Sequence, residues 1–236
     1  MSIPPSPKIK AAITNGEYEL RGQFMLGSNY TFLVDVHHEG ETIKAVYKPS
    51  KGEQPLWDFP DNTLALREVA AYVLSETLGF HIVPFTVYRD DGPYGPGSLQ
   101  HYIEYDIEYH YFNFTPEDKL KLRPVVLFDV LANNADRKGS HVFFEDETHH
   151  LYAIDHGICF HEEPKLRTVL WDFAGQQIPE ELLAPLSLTD TWSALFEQYL
   201  NPREIEALLL RAEELKETKL FPRPLQGRRA YPYPPI

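Results

Sequence analysis

Three features that are scarce in this chain limit what the protein can be. Cys159 is the single cysteine, so no disulfide can form within the chain. No apolar run reaches the length of about 18 residues that a transmembrane helix needs. The start, Met1 to Lys10, is rich in proline and lacks the apolar segment of a signal peptide. We therefore expect a cytoplasmic protein.

Positive charge is also scarce. The chain has 22 Lys and Arg residues against 35 Asp and Glu residues, a formal net charge of -13. Nonspecific nucleic-acid binding needs a basic face, and so does wholesale adsorption to an anionic membrane. We therefore expect neither a nucleic-acid partner nor stable membrane insertion. The phosphate-binding string G-x-x-x-x-G-K-[ST] is absent too, which excludes a P-loop enzyme.

The first half of the chain has the apolar pattern of a sheet with one helix. Residues 1–10 are expected to form a loose arm, and residues 17–48 alternate as three antiparallel strands. Residues 63–78 carry an apolar side typical of a helix, and residues 82–88 and 98–104 predict two more strands. The order is three strands, one helix and two strands.

The second half is predominantly helical. Residues 118–131 predict a helix that Pro124 must start, kink or divide. Further predicted helices span 179–186, 190–199 and 202–216, and a proline-rich tail, 221–236, is expected to be extended. We predict an α+β fold of two lobes. Residues 1–104 form a lobe with an antiparallel sheet and one helix, and residues 105–236 form a mainly helical lobe.

The strongest chemical signal is a pair of polar loops, each of which follows an apolar run. The first contains Asp136 and follows residues 125–131; the second contains Asp155 and follows residues 151–154. The two carboxylates are 19 residues apart, with a short hairpin between them. This is the layout of the catalytic aspartate and the metal ligand in kinase-like phosphotransferases. We assign Asp136 to catalysis and Asp155 to metal binding.

Lys48 and Glu68 predict the phosphate end of a nucleotide site. Lys48 ends the third strand, and Glu68 follows 20 residues later within the predicted helix. A strand lysine that is held by a helix glutamate positions phosphates in kinases. The turn that contains Gly27 and Ser28 is expected to cover those phosphates, and Glu104, at the end of the last strand, is assigned to nucleotide binding.

His141 stands where kinases have a metal-binding asparagine, five residues after the catalytic aspartate. A histidine is a poorer ligand for the hard Mg²⁺ ion. Three roles stay open for it: a ligand for Mn²⁺, a hydrogen-bond donor to phosphate, or neither.

Four basic residues are candidates for contacts with the substrate. Arg137 and Lys138 follow the catalytic aspartate directly. Lys165 and Arg167 lie eight to twelve residues after Asp155-His156-Gly157, the position of an activation loop. Together they predict a site for a phosphorylated or acidic acceptor.

Several strings give the chain a family resemblance. They include Ala45-Val46-Tyr47-Lys48-Pro49, Leu56-Trp57-Asp58-Phe59-Pro60, Asn133 to Gly139 and Asp155 to Phe173. Over roughly residues 17–215 the chain resembles the phosphatidylinositol 3- and 4-kinase-like superfamily, and more narrowly an uncharacterised group of small bacterial proteins assigned to it. The resemblance implies an ATP-binding cleft, with Lys48 on the phosphates, Asp136 as the catalytic aspartate and Asp155 as a metal ligand. His156 departs from it, because it replaces the phenylalanine of Asp-Phe-Gly.

We therefore expect an ATP-dependent phosphotransferase that transfers a γ-phosphate to a hydroxyl of an unidentified acceptor, with Mg²⁺ or Mn²⁺. One alternative is a kinase-fold module that binds nucleotide with weak or no catalysis. Another is a metal-dependent hydrolase, whose candidate ligands are His141, Asp155, His156 and His161. The proline-rich tail is a possible contact for a protein partner.

Overall fold

An antiparallel sheet of five strands forms the first part of the fold. The computed structural model describes residues 5–24 and 30–236. The strands pair in the order β1-β2-β3-β5-β4. Their bounds are β1 Glu17–Gln23, β2 Phe32–His38, β3 Glu41–Pro49, β4 Thr86–Arg89 and β5 Gly97–His101. The predicted α+β fold with its antiparallel sheet is confirmed.

Helices and a short hairpin make up most of the rest. The helix predicted between the third and fourth strands is present as α2, and the hairpin separates the two motif loops as expected. The bounds are α1 Pro7–Asn15, α2 Leu64–Thr77, α3 Pro116–Leu120, α4 Arg123–Ala132, β6 Val142–Phe144, β7 Leu151–Ala153, α5 Glu180–Leu183, α6 Trp192–Phe196 and α7 Pro202–Thr218. Among the described residues, no helix is both long and apolar enough to cross a membrane.

The expectation of a loose N-terminal arm over residues 1–10 is wrong for residues 7–10, which belong to a helix. Residues 7–15 form α1, whose first turn is capped by the Ser6 side chain, which accepts a hydrogen bond from the Ile9 N–H at 3.3 Å. Pro7 fits the first helical position. Ile13 is fully buried in the core beneath the sheet, so packing holds this helix in place.

Several predicted elements are shorter than the pattern suggested. Residues 82 and 83 do not belong to a strand, because both backbone N–H groups donate to the Ser75 hydroxyl, at 2.9 and 3.2 Å. The long helix predicted before the first motif loop is divided into α3 and α4, and Pro124 lies in the first turn of α4. An eight-residue 3-10 helix, Ala184–Thr191, separates α5 from α6.

Two hydrophobic clusters lie on either side of the site. The smaller one lies beneath the sheet and includes Val34, Tyr47 and Leu99. The larger one occupies the helical part of the chain and also takes in Ala70 and Leu74 of α2. Helix α2 also contacts β4 and β5. It therefore joins the sheet to the helical part, and its N-terminal half borders the space between them.

A glycine lets β5 approach the end of β3. Gly97 pairs with Pro49, next to the pair Lys48 and Ser98. A Cβ atom at position 97 would lie 2.3 Å from the carbonyl oxygen of Lys48, closer than any real Cβ contact. Only glycine permits this approach, so Gly97 helps to set the position from which Lys48 reaches the site.

Candidate active site

Lys48 makes ion pairs with two of the predicted site residues. Its Nζ contacts Glu68 Oε1 and lies 3.0 Å from Asp155 Oδ1. Burial alone would lower the pKa of Lys48, but the carboxylates of Asp155 and Glu68 raise it above its usual value. The lysine is therefore a fixed positive charge. The structure thus brings together three predicted site residues that are far apart in the chain.

Glu68 connects this lysine to the second motif loop. Its side chain is almost fully buried on α2, and Oε2 accepts a hydrogen bond of 3.0 Å from the backbone N–H of His156. The carboxylate thus holds Lys48 with one oxygen and the loop of Asp155 with the other. Glu53 caps the start of the same helix, since its carboxylate accepts from the N–H groups of Leu64 and Ala65.

Asp155 presents its carboxylate to the open space beside Lys48. Its backbone adopts a left-handed conformation with φ of 62°, unusual for a residue other than glycine. The side chain is 51% exposed. The ammonium group of Lys48 lowers the pKa of Asp155 well below its usual range, so the carboxylate is ionised. Strained backbone of this kind is common in functional loops.

His141 lies beside this carboxylate, with Nε2 3.4 Å from Asp155 Oδ2. Burial, together with nearby cations, lowers the pKa of His141 to about 4. The imidazole is therefore neutral near pH 7. Within the described part of the chain, its buried Nδ1 has no hydrogen-bond partner.

Asp136, on the first motif loop, borders the same open space as Lys48, His141 and Asp155. Its backbone N–H donates to the Asn134 side chain at 2.9 Å, and its carboxylate is 3.3 Å from Lys138 Nζ. Asn134 in turn donates to Asp129 Oδ1 at 3.0 Å, which anchors the loop on α4. Burial raises the pKa of Asp136, although Lys138 opposes the shift. A carboxylate with a raised pKa is a better proton acceptor than an ordinary aspartate.

Arg137 does not face the site, contrary to the expectation that its charge meets the substrate. Its side chain is fully buried and contacts both Asp129 oxygens at 2.9 Å. It also donates to the carbonyl of Ile154 at 2.7 Å and contacts His156 Nε2 at 2.8 Å. These partners use the guanidinium group, so Arg137 joins the two motif loops from inside.

The segment after the second motif loop is fixed by Asn133. Its amide donates to the carbonyls of His161 and Glu163, and its oxygen accepts from the Lys165 N–H at 2.8 Å. Lys165 does not reach Asp136, since its Nζ pairs with Asp58 at 2.7 Å. The predicted substrate residues are therefore not all brought together.

Arg167 and Lys138 are the two predicted substrate residues that lie near Asp136. Arg167 lies 3.5 Å from the Ala135 carbonyl, and its charge, like that of Lys138, opposes the rise in the pKa of Asp136 that burial causes. Lys138 lines the site itself.

A cavity of about 300 Å³ contains these groups. Its lining includes the charged residues Lys48, Asp136 and Asp155, with His141. The lining also includes apolar and aromatic residues, among them Val46, Ile103, Tyr105, Phe143 and Ile154. The cavity therefore offers both charged groups and apolar surface, a combination that suits a nucleotide.

Glu104, which was assigned to nucleotide binding, does not take the expected place in the site. Glu104 does not line the cavity; its exposed carboxylate pairs with Lys44 at 2.6 Å, although its neighbours Ile103 and Tyr105 do line it. The assignment relied on a predicted strand that reached residue 104, whereas β5 ends at His101. Gly27 and Ser28 lie outside the described residues, so their role stays a prediction.

The described residues do not form a metal centre of their own. Among them, no group of three or more His, Cys, Asp or Glu side chains is placed to hold an ion. His156 is buried against Arg137, and His161 Nε2 lies 2.8 Å from the Asp58 carbonyl. The hydrolase alternative therefore lacks its ligand cluster.

Asp155 and the neutral His141 fit a smaller role in metal binding. A carboxylate and a neutral imidazole are both ligand-competent. Mg²⁺ in phosphotransferases is commonly held by one or two protein ligands together with phosphate oxygens and water. The Asp155 carboxylate suits that arrangement with Mg²⁺, whereas the His141 imidazole beside it suits Mn²⁺ better than Mg²⁺.

A known bacterial protein aligns with nearly the whole of this chain. The chain is 36% identical over 264 aligned positions to Protein Rv2133c of Mycobacterium tuberculosis, covering 95% of this chain and 94% of the relative. The chain belongs to the family of that protein. No protein-family model matches it.

A solved kinase structure shares the fold. The proinflammatory kinase CtkA of Helicobacter pylori superposes with a TM-score of 0.55, covering 88% of this chain and 94% of that chain. Its sequence is 12% identical, so the likeness shows the fold alone. A kinase-like fold is thus shown, while the narrower resemblance to phosphatidylinositol 3- and 4-kinases stays a prediction.

Proposed function

We propose that this protein is an ATP-dependent phosphotransferase that transfers the γ-phosphate to a hydroxyl group. The observation that carries the proposal is the contact of Lys48 with both Glu68 and Asp155, in one cavity that Asp136 and several apolar side chains also line. Residues from the sheet, from α2 and from both motif loops converge there. Phosphoryl transfer depends mainly on such positioning and on charge stabilisation.

Each residue has a distinct task in this proposal. Lys48 neutralises phosphate charge, and Glu68 holds its ammonium group in place. Asp136 orients the acceptor hydroxyl and takes its proton, while Lys138 places a second positive charge nearby. Asp155 and His141 would hold Mg²⁺ or Mn²⁺. When bound, that ion offsets the charge on the phosphates.

The acceptor is proposed to be anionic. Lys138 and Arg167 are the cations beside Asp136, and the protein is otherwise strongly acidic. The narrower likeness to phosphatidylinositol 3- and 4-kinases makes an inositol lipid one candidate, alongside phosphorylated small molecules.

The test is transfer of labelled phosphate from ATP with Mg²⁺ and with Mn²⁺. The acceptors are phosphatidylinositol vesicles, phosphorylated polyols and the protein itself. Asp136→Asn should lower the rate by about 10²- to 10⁴-fold, the usual contribution of a positioned base. Full activity of that variant, or wild-type protein that neither binds ATP nor turns it over, would contradict the proposal.

One observation favours a second function, a nucleotide-binding module without catalysis. His141 replaces the asparagine of kinases, and its Nε2 lies against Asp155 at a distance of 3.4 Å. An imidazole there weakens the affinity of the site for Mg²⁺. This alternative predicts that ATP raises the thermal unfolding temperature with no turnover in either metal. Slow turnover that is lost in Asp136→Asn would exclude it.

A further inference from the structure

The cavity lining contains a buried amide side chain that the proposed reaction does not use. Gln100 lines the cavity from β5 and is 7% exposed. In the sheet it pairs with Val46 of β3 on one side and with Thr86 of β4 on the other. It therefore lies beside the apolar residues that suit a nucleobase.

The contacts of Thr86 fix which way the Gln100 amide points. Thr86 Oγ1 lies 2.7 Å from the carbonyl oxygen of Pro84. A carbonyl has no proton, so the hydroxyl must donate its own proton in this contact. The same hydroxyl oxygen lies 2.8 Å from Gln100 Nε2 and has no second proton to give. It therefore accepts, and Gln100 must donate through its NH₂ group.

This arrangement leaves the Gln100 carbonyl oxygen for a ligand. Oε1 has no hydrogen-bond partner among the described residues, yet it is not one of their buried unpaired atoms. Since the residue lines the cavity, that oxygen is open to the cavity. The turned-over amide would instead place Oε1 against the Thr86 hydroxyl oxygen, whose only proton is already donated to the Pro84 carbonyl, so that two acceptors would face each other.

A fixed acceptor beside an apolar slot discriminates between purines. Adenine carries an amino group at C6, which can donate to this oxygen. Guanine and hypoxanthine carry a carbonyl at the same position, which would face Oε1 with neither partner able to donate. A buried polar atom that is left without a partner is costly.

We propose that Gln100, oriented by Thr86, makes this site specific for 6-amino purines and so selects ATP over nucleotides with a 6-oxo group. The inference rests on the proposed nucleotide-binding function and deepens it. Sequence patterns did not single out either residue, because the signal is the direction of a hydrogen bond across two strands.

Binding of ATP, ITP and GTP to the full chain, measured by isothermal titration calorimetry with Mg²⁺, tests the assignment. ITP is the sharpest probe, because hypoxanthine has the 6-oxo group but lacks the 2-amino group of guanine. We expect ATP to bind at least about tenfold more tightly than ITP or GTP.

Two variants separate this role from a structural one. Gln100→Leu should weaken ATP binding and bring the ATP-to-ITP affinity ratio close to one. Thr86→Val keeps the side-chain shape but removes the hydroxyl, which allows the Gln100 amide to turn; the ratio should then fall because ITP binds better. If Gln100→Leu does not fold, the gain in ITP affinity of Thr86→Val still tests the role of Gln100.

Ser98→Ala is the matched control. Ser98 is as buried as Gln100, lies two residues away on the same strand and does not line the cavity. The ATP-to-ITP affinity ratio of Ser98→Ala should equal that of the wild type. Equal wild-type affinities for the three nucleotides, or a ratio unchanged in both Gln100→Leu and Thr86→Val, would overturn the assignment while the proposed function stands. Binding of none of them would overturn both.

Discussion

Two pairs of adjacent residues divide in the same way between the cavity and the interior. In α2, Glu68 contacts Lys48 at the cavity, while Arg67 is buried and pairs with Glu204 of α7. In the first motif loop, Asp136 faces the cavity, while Arg137 is buried against Asp129. In each pair the acid belongs to the candidate site and the arginine ties that site to the helical part.

This comparison shows why neighbouring charges in a motif cannot be given the same role. Arg67 donates to the carbonyl of Cys159 at 2.7 Å, just as Arg137 donates to the carbonyl of Ile154. Both arginines therefore satisfy backbone groups on either side of the second motif loop. An arginine suits such a task because it offers five donors and stays charged when buried.

The largest expected effect is the loss of stability in Arg137→Met. Removal of the guanidinium group leaves the buried Asp129 carboxylate without its ion partner. Breaking a buried pair in this way costs about 3–5 kcal/mol of unfolding free energy. Chemical denaturation measures it. Lys138→Met is the matched control, and it should change the unfolding free energy by no more than about 0.5 kcal/mol, because its amine is partly exposed.

The double variant Asp129→Leu with Arg137→Met sharpens the same comparison. Since it removes both charges, part of the lost stability should return. A loss as large as that of the single variant would show that the hydrogen bonds to Ile154 and His156, rather than the ion pair, hold the loops together.

The second effect is on activity and concerns the cavity side. Asp155→Asn removes a carboxylate that contacts Lys48 and that is proposed to hold the metal ion. Phosphate transfer from ATP should fall by about 100-fold or more, as expected when a charge-stabilising contact is lost. Stability should change little, because the side chain is half exposed and Lys48 keeps its contact with Glu68.

Glu147→Gln is the control for that experiment. Glu147 is an exposed residue of the β6–β7 turn, so the charge change is the same but the cavity is untouched. Equal losses of activity in the two variants would mean that net charge, rather than the position of Asp155, governs transfer.

Sequence patterns predicted Lys48 and the acids that line the cavity better than the basic residues of the two motif segments. Lys48, Glu68, Asp136 and Asp155 could be singled out because each follows or lies within a strongly apolar element. The contacts of Arg137 and Lys165 could not be predicted from such patterns, because they are made with side chains of other elements. Lys165, for example, pairs with Asp58, more than one hundred residues earlier.

Sequence patterns also predicted some elements of the fold better than others. Apolar alternation found the sheet and α2, and the Asn201 cap with Pro202 located the start of α7. The pattern missed α1, whose stability depends on burial of Ile13 beneath the sheet. It also overextended β4, since a hydrogen bond to Ser75 rather than a strand partner satisfies Ile82.

The smallest expected effect concerns Asp118, a buried acid that does not line the cavity. Asp118 accepts hydrogen bonds from Tyr109 at 2.5 Å and Lys121 at 2.8 Å, and lies 3.0 Å from His149. Burial alone would raise the pKa of Asp118, but these contacts lower it well below its usual range. A carboxyl whose folded pKa is depressed stabilises the fold above its unfolded pKa of about 3.9, and this stability is lost as the pH falls further.

Asp118→Asn should therefore flatten the acid limb of the stability curve. Between about pH 5 and pH 2 the unfolding free energy of the wild type should fall more steeply than that of the variant. Glu117→Gln, at the exposed neighbouring position of α3, should keep the wild-type slope. Because Asp118 has no contact with the cavity, phosphate transfer at neutral pH should depend on it less than on Asp155. A variant with the wild-type slope would show that this cluster, unlike the pair of Arg137 and Asp129, contributes little to the fold.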